Sequence, residues 1–188
     1  MRSRVVLFGG TFDPIHNAHL EIARAAADRF EPERILFVPA ANPPHKFDQA
    51  QAPYEDRVCM ARLACEGEPR FEVSRIEEGS ARSYSIDTIE KLVAAGIGPL
   101  GFLIGADAFA EIESWHRWFD VVRSVEFIVV TRPGAAYRIP EGSVVHELAG
   151  LSLQISSSEV RAGIARGDLN VPVPAAVLAY IRQHHIYR

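Results

Sequence analysis

At 188 residues, with 48% hydrophobic and 23% charged side chains, the chain has the length and composition of one globular domain spanning 1–188 that can bury a core, which excludes a disordered polypeptide. A formal net charge of -4 supplies no broad cationic field, so nucleic acid and anionic membranes are not expected partners and any phosphate site has to be local. Cys59 and Cys65 lack a CxxC spacing, which argues against a disulfide framework or a zinc site and suits a reduced, cytoplasmic setting; the apolar run from Val5 to Phe8 is too short for a signal-peptide core or a membrane span.

In chain order, a first strand is read over 5–8, and Gly9 and Gly10 punctuate its end. A helix is expected over 17–29 and a strand over 34–38. The segment 40–52 reads as a loop stiffened by Pro43 and Pro44, with Asn42, His45 and Lys46 beside them. Helices follow over 54–65 and 85–95, then a strand over 100–104 that runs into Gly105, Ala106 and Asp107. A strand is read over 127–130, and 134–150 is broken by Gly and Pro with a short strand candidate over 143–148. Helices over 157–166 and 175–184 end the chain. Short continuous apolar runs, rather than alternating ones, suit parallel strands covered on both faces, so the expected fold is α/β, a Rossmann-like doubly wound parallel sheet.

The passage from Gly9 through Thr11, Phe12, Asp13 and Pro14 to His16 and His19 carries the most chemistry. A strand, a glycine turn and a helix start make an anion site, because glycine permits close backbone approach and the unpaired N–H groups at the helix start favour phosphate. His16 and His19, three apart, share a face and can both donate to one anion. Read one at a time, the glycines could be a plain turn and the histidines ordinary helix residues. A zinc pair is also conceivable, although no third ligand stands at a suitable spacing.

Near the other end, Ser156 followed by Glu159 is a capping-box spacing, which predicts a second helix start with Ser157 and Arg161 in its first turns. Alone, this is a capped helix with a surface arginine. Asp107 stands at the carboxyl edge of the expected sheet, where it could accept from ribose hydroxyls or serve as an N-cap. Trp115 and Trp118 place aromatics near the same edge.

The Gly9–His19 passage resembles the nucleotidyltransferase hallmark in which a Gly-Gly-x-Phe-Asp-Pro turn leads to a His-x-Gly-His motif, with Ala18 where that family usually has Gly. Residues 155–161 resemble the Ile-Ser-Ser-Thr-x-Ile-Arg motif of the same superfamily. Residues 43–46, 83–88, 105–107, 114–118 and 131–134 together look like bacterial nicotinate-nucleotide adenylyltransferase. The resemblance implies a nucleotidyltransferase-type sheet, completed at the phosphate site by helices over about 157–188. It assigns catalysis to His16, His19 and Arg161, and ATP binding to Gly9, Gly10, Thr11, Phe12, Gly105, Asp107, Arg132, Ser156 and Ser157. Acceptor binding falls to Asn42, His45, Lys46, Ser83, Tyr84, Ser85, Trp115 and His116, the last standing where the family often has tyrosine.

What the resemblance implies as function is transfer of AMP from ATP to nicotinate mononucleotide, with pyrophosphate released and Mg²⁺ carried on the ATP phosphates rather than by the protein. Phosphopantetheine adenylyltransferase shares both phosphate motifs, and a noncatalytic nucleotide-binding regulator on the same fold is a further alternative. A homo-oligomer is left open.

Overall fold

The computed structural model describes residues 4–43, 51–131, 137–151 and 155–188. Six strands form one parallel sheet: β1 (Val5–Gly10), β2 (Arg34–Pro39), β3 (Phe71–Val73), β4 (Leu100–Gly105), β5 (Val125–Val130) and β6 (Val144–Leu148). Their spatial order is β3-β2-β1-β4-β5-β6. The chain winds outward from β1 in one direction, then returns to lay β4 on the other side of β1. That reversal opens a crevice at the carboxyl ends of β1 and β4, the place where doubly wound sheets bind ligands.

The continuous apolar strands follow from burial on both faces. Val6 and Phe8 point into one cluster, while Val5 and Leu7 point into the other. The first face is covered by α1 (Asn17–Phe30), α2 (Tyr54–Cys65), α6 (Ser157–Ala165) and α7 (Ala175–Gln183). Ala23, Ala26 and Ala27 of α1 are buried, and their small side chains let the helix lie close against the sheet. The second face is covered by α3 (Ser85–Ala94), α4 (Ala106–Ala110) and α5 (Trp118–Ser124), through Ile86, Ile89, Phe109 and Val121. Phe37 of β2 is fully buried among Phe8, Phe12 and Phe71, so truncating it to Ala should cost about 3–5 kcal/mol.

The five helices expected from periodicity are present, each starting at the expected residue and ending within one residue of its expected end. The strand candidate over 143–148 is β6, an edge strand. Four short elements escaped the pattern: β3, α4, a 3₁₀ turn over Ile112–Ser114, and α5. None is longer than seven residues, too short for a 3.6-residue period to declare itself.

Candidate active site

Two helix starts from opposite ends of the chain meet over the carboxyl edge of β1 and β4. His16 is the N-cap of α1 in extended backbone, and its main-chain N–H donates to Nδ1 of His19 at 3.2 Å. With that nitrogen accepting, the ring proton of neutral His19 lies on Nε2. The two imidazoles stack with centroids 3.7 Å apart, as their three-residue spacing predicted. His19 also packs edge-on against Phe12. Burial lowers the pKa of His16 from 6.5 to about 4, so at neutral pH it is an uncharged hydrogen-bonding group.

The second helix start is fixed by its capping box. Ser156 Oγ accepts from the Glu159 N–H at 3.2 Å, and Glu159 Oε2 accepts from the Ser156 N–H at 3.0 Å. This end docks directly onto the N-terminal turn. Ser157 Oγ donates to the Pro14 carbonyl at 3.1 Å, and Arg161 Nη1 donates to the Asp13 carbonyl at 2.7 Å. The first N–H of α1, from Asn17, is taken by the carbonyl of Pro172 at 2.9 Å. Between the two starts lies a cleft of about 360 Å³ whose lining includes Thr11, His16, His19, Asp107, Ser157 and Arg161. Among the described residues, the buried atoms His16 Nδ1 and Arg161 Nε have no hydrogen-bond partner.

The wall of the cleft includes Asp13, 2% exposed and the centre of a buried polar hub. Its carboxylate accepts from the N–H of Gln51 at 2.8 Å, the N–H of Ala52 at 3.1 Å and the Tyr187 hydroxyl at 2.6 Å. Arg57, equally buried, reaches from α2 to donate through Nη1 to the carbonyls of Thr11 and Ala40 at 2.7 and 2.8 Å, and through Nε to Ala52. It thereby ties the ends of β1 and β2 together. Burial pulls its pKa down, and the Asp13 charge opposes that shift, so the guanidinium keeps its charge in the interior. Burial and the bond to Asp13 hold the Tyr187 phenol above its ordinary range, which keeps it a donor.

A second cluster stands beside the switch point. The Asn42 N–H donates to Ser83 Oγ and the Ser83 N–H to the Asn42 carbonyl, both at 2.9 Å, so the two segments are locked reciprocally. Asn42 Nδ2 also donates to the Ser80 carbonyl at 2.6 Å. Tyr84 caps α3, leads into Ser85, and stacks its ring on His116 at 4.3 Å. Trp115 and Trp118 both pack against the second core face, Trp115 edge-on to Phe102. Tyr84, half-buried, packs against that same face, and its ring lies tilted over the exposed His116.

The expected site residues divide accordingly. Thr11, His16, His19, Gly105, Asp107, Ser156, Ser157 and Arg161 come together on the cleft. Phe12 does not line it: this residue turns inward with φ 49° and packs in the core against Phe8 and Phe37. Gly9 and Gly10 also lie off the cleft lining, and a Cβ on Gly10 would come within 2.9 Å of the Phe12 ring, so its role in packing is plain. Ala18 sits buried in regular α1 and lines the cleft, so the helix tolerates its methyl. Asn42, Ser83, Tyr84, Ser85, Trp115 and His116 form the second cluster. The expectations on His45, Lys46 and Arg132 lie outside the described residues.

Sequence reasoning missed Arg57, Tyr187 and buried Glu77, which accepts from the Ala41 N–H beside Asn42, and gave Asp13 no role. Arg57 alone left a trace, as a cation on the buried face of α2 next to Val58, Met60 and Ala61.

A parallel sheet open at its switch point, with a helix start at each side of the crevice, defines a Rossmann-like α/β protein of the nucleotidyltransferase type. A family model described as cytidylyltransferase-like matches residues 7–163, and the chain belongs to that family and, within it, to the nicotinate-nucleotide adenylyltransferases. It is 58% identical over 187 residues to a protein of Solibacter usitatus described as a "probable nicotinate-nucleotide adenylyltransferase", covering 98% of this chain and 99% of that protein. A protein of Pelobacter propionicus with the same description is 40% identical over 214 residues, covering 98% of each. Among solved structures, the Plasmodium falciparum nicotinic acid mononucleotide adenylyltransferase complexed with NaAD superposes with a TM-score of 0.79 at 19% identity, covering 97% of this chain and 96% of that one, a likeness of fold.

Proposed function

We propose that the chain transfers the AMP moiety of ATP to nicotinate mononucleotide, giving deamido-NAD and pyrophosphate, a step of NAD biosynthesis. The convergence of the two helix starts carries the reading: Ser157 and Arg161 bonded to Pro14 and Asp13 place amide groups, two imidazoles and a guanidinium around one cleft of triphosphate size. The full-length similarity to nicotinate-nucleotide adenylyltransferases supports the choice of acceptor.

In this mechanism an oxygen of the acceptor 5′-phosphate attacks the α-phosphorus of ATP. The bond from that phosphorus to the oxygen bridging the β-phosphate breaks, and the electron pair leaves with pyrophosphate. Catalysis is positioning plus charge stabilisation, extended here from phosphoryl to nucleotidyl transfer. His16 and His19 hydrogen-bond the oxygens on which charge develops, while Ser156, Ser157 and Arg161 hold the outer phosphates. Asp107 accepts from the ATP ribose, and Asn42, Ser83 to Ser85 and the Tyr84–His116 stack face the acceptor, with Lys46 and Arg132 assigned by resemblance.

Mg²⁺ enters as part of the substrate. Its charge is carried on the ATP phosphates, and the Asp13 carboxylate is already committed to three donors. Among the described residues no helix is long and apolar enough to cross a membrane, and the free thiols Cys59 and Cys65 fit a cytoplasmic setting.

The test is pyrophosphate release from ATP with nicotinate mononucleotide, nicotinamide mononucleotide or phosphopantetheine as acceptor. Nicotinate mononucleotide should be used best, and preference for phosphopantetheine would overturn the assignment. His19→Ala should lower kcat by about 10²–10³ with the fold intact, the loss typical when a donor to a developing oxyanion is removed; near-normal turnover would refute its role.

A further inference from the structure

We infer that Tyr187, one residue from the C-terminus, is a positioning residue for the triphosphate site, acting through its hydrogen bond to Asp13. The inference rests on the adenylyl-transfer reading above and extends it to a residue that touches no substrate.

The carboxylate of Asp13 has four neighbours from three parts of the chain. One oxygen accepts from Tyr187 at 2.6 Å and from the Ala52 N–H at 3.1 Å, and the other accepts from the Gln51 N–H at 2.8 Å. Arg161 lies 3.8 Å from the second oxygen and bonds the Asp13 main-chain carbonyl. Asp13 is therefore the joint between the turn that delivers His16, the chain returning from the 40–52 loop, and the arginine of the second helix start.

Backbone geometry supports the same assignment. Tyr187 has φ 62° and Phe12, the residue before Asp13, has φ 49°, both in the left-handed region that bulky residues avoid. Two aromatic residues from opposite ends of the chain adopt disfavoured backbone beside one carboxylate. Both are buried, so the surrounding packing holds them there. Tyr187 is thus more than the cover of an apolar core: Ser157 and Arg161 bond main-chain carbonyls of the turn beneath the histidines, and among the described residues the Tyr187 hydroxyl is the side-chain donor that hydrogen-bonds the Asp13 carboxylate itself.

Without that hydroxyl, Asp13 keeps its two amide donors and swings toward Arg161, whose fork then leaves the geometry set by the Asp13 carbonyl and Ser158 Oγ. Tyr180 provides a matched control. Its hydroxyl also bridges a C-terminal helix to a carboxylate, that of Asp56 at 2.8 Å, but away from the cleft.

Tyr187→Phe and Tyr180→Phe are compared with the parent enzyme by Tm, by steady-state kinetics and by calorimetric titration with Mg-ATP alone. Assays run well below the lower Tm, in stabilising osmolyte if needed to keep either variant folded. Tyr187→Phe should lower kcat about tenfold and Mg-ATP affinity about fivefold, with KM for nicotinate mononucleotide within about twofold. Tyr180→Phe should leave all three within about twofold of the parent. Tyr187→Phe values indistinguishable from the parent, or losses in both variants that simply track their Tm, overturn the inference. The calorimetric arm needs no acceptor, so a parent enzyme that binds ATP yet releases no pyrophosphate counts against the adenylyl-transfer reading and leaves the Tyr187 comparison intact.

Discussion

His16 shows how one side chain couples the site to stability. Its ring is 5% exposed and its pKa falls from 6.5 to about 4 because burial disfavours the charged form. Above pH 6.5 the imidazole is neutral in both folded and unfolded chains and contributes nothing to pH dependence. Between pH 6.5 and 4 the unfolded chain binds a proton that the folded one refuses, so stability falls as pH falls. The slope approaches 1.4 kcal/mol per pH unit, and the total over this window is about 3 kcal/mol. Urea unfolding at pH 7 and pH 4.5 should therefore show a smaller acid loss for His16→Gln than for the parent. Equal losses would place the ring in a solvated environment and undo the picture of a neutral donor held in a dry wall of the cleft.

At the scale of elements, the contrast between what was readable and what was not has a physical origin. Helices α1, α2, α3, α6 and α7 are nine residues or longer and declare themselves through periodicity, and α6 further through the Ser156–Glu159 box. The glycine turn and the paired histidines were legible because a strand, a turn and a helix start are local. The hub beneath them was not, since Tyr187 lies 174 positions from Asp13 and no short-range pattern announces such a pair. The second cluster, around Asn42 and Ser83, has the same character. Buried Glu77 accepts from Thr88 Oγ1 at 2.7 Å and from the Ala41 N–H at 3.3 Å, joining α3 to the segment that follows β2. Removing that carboxylate in Glu77→Ala strands the Ala41 N–H and leaves the Thr88 hydroxyl only the Tyr84 carbonyl at 3.4 Å, at a cost of about 1–3 kcal/mol. Because the join supports Asn42 and Ser83 rather than the cleft, KM for nicotinate mononucleotide should rise about tenfold while KM for ATP stays within about twofold. Parallel rises in both constants would mean that the two clusters move as one.

For the whole molecule, the decisive feature is that the cleft proposed to take ATP is assembled from the two ends of the chain around the switch point of a single sheet. The first turn of α1 leans on Pro172, and α6 leans on Asp13 and Pro14, so each end completes the other. A triphosphate bound between them adds bridges that neither end can make alone, which predicts a cooperative response. At a Mg-ATP concentration about a hundred times Kd, linkage gives about 2.7 kcal/mol of stabilisation. For a chain of this length that corresponds to a rise in Tm of roughly 5–10 °C. Amide hydrogen exchange should slow together in residues 11–20 and in residues 155–188, because opening either end then requires breaking contacts to the same ligand. Protection confined to the N-terminal turn, with α6 and α7 exchanging as before, would mean that the arginine clamp does not engage the nucleotide and that the ends meet for structural reasons alone.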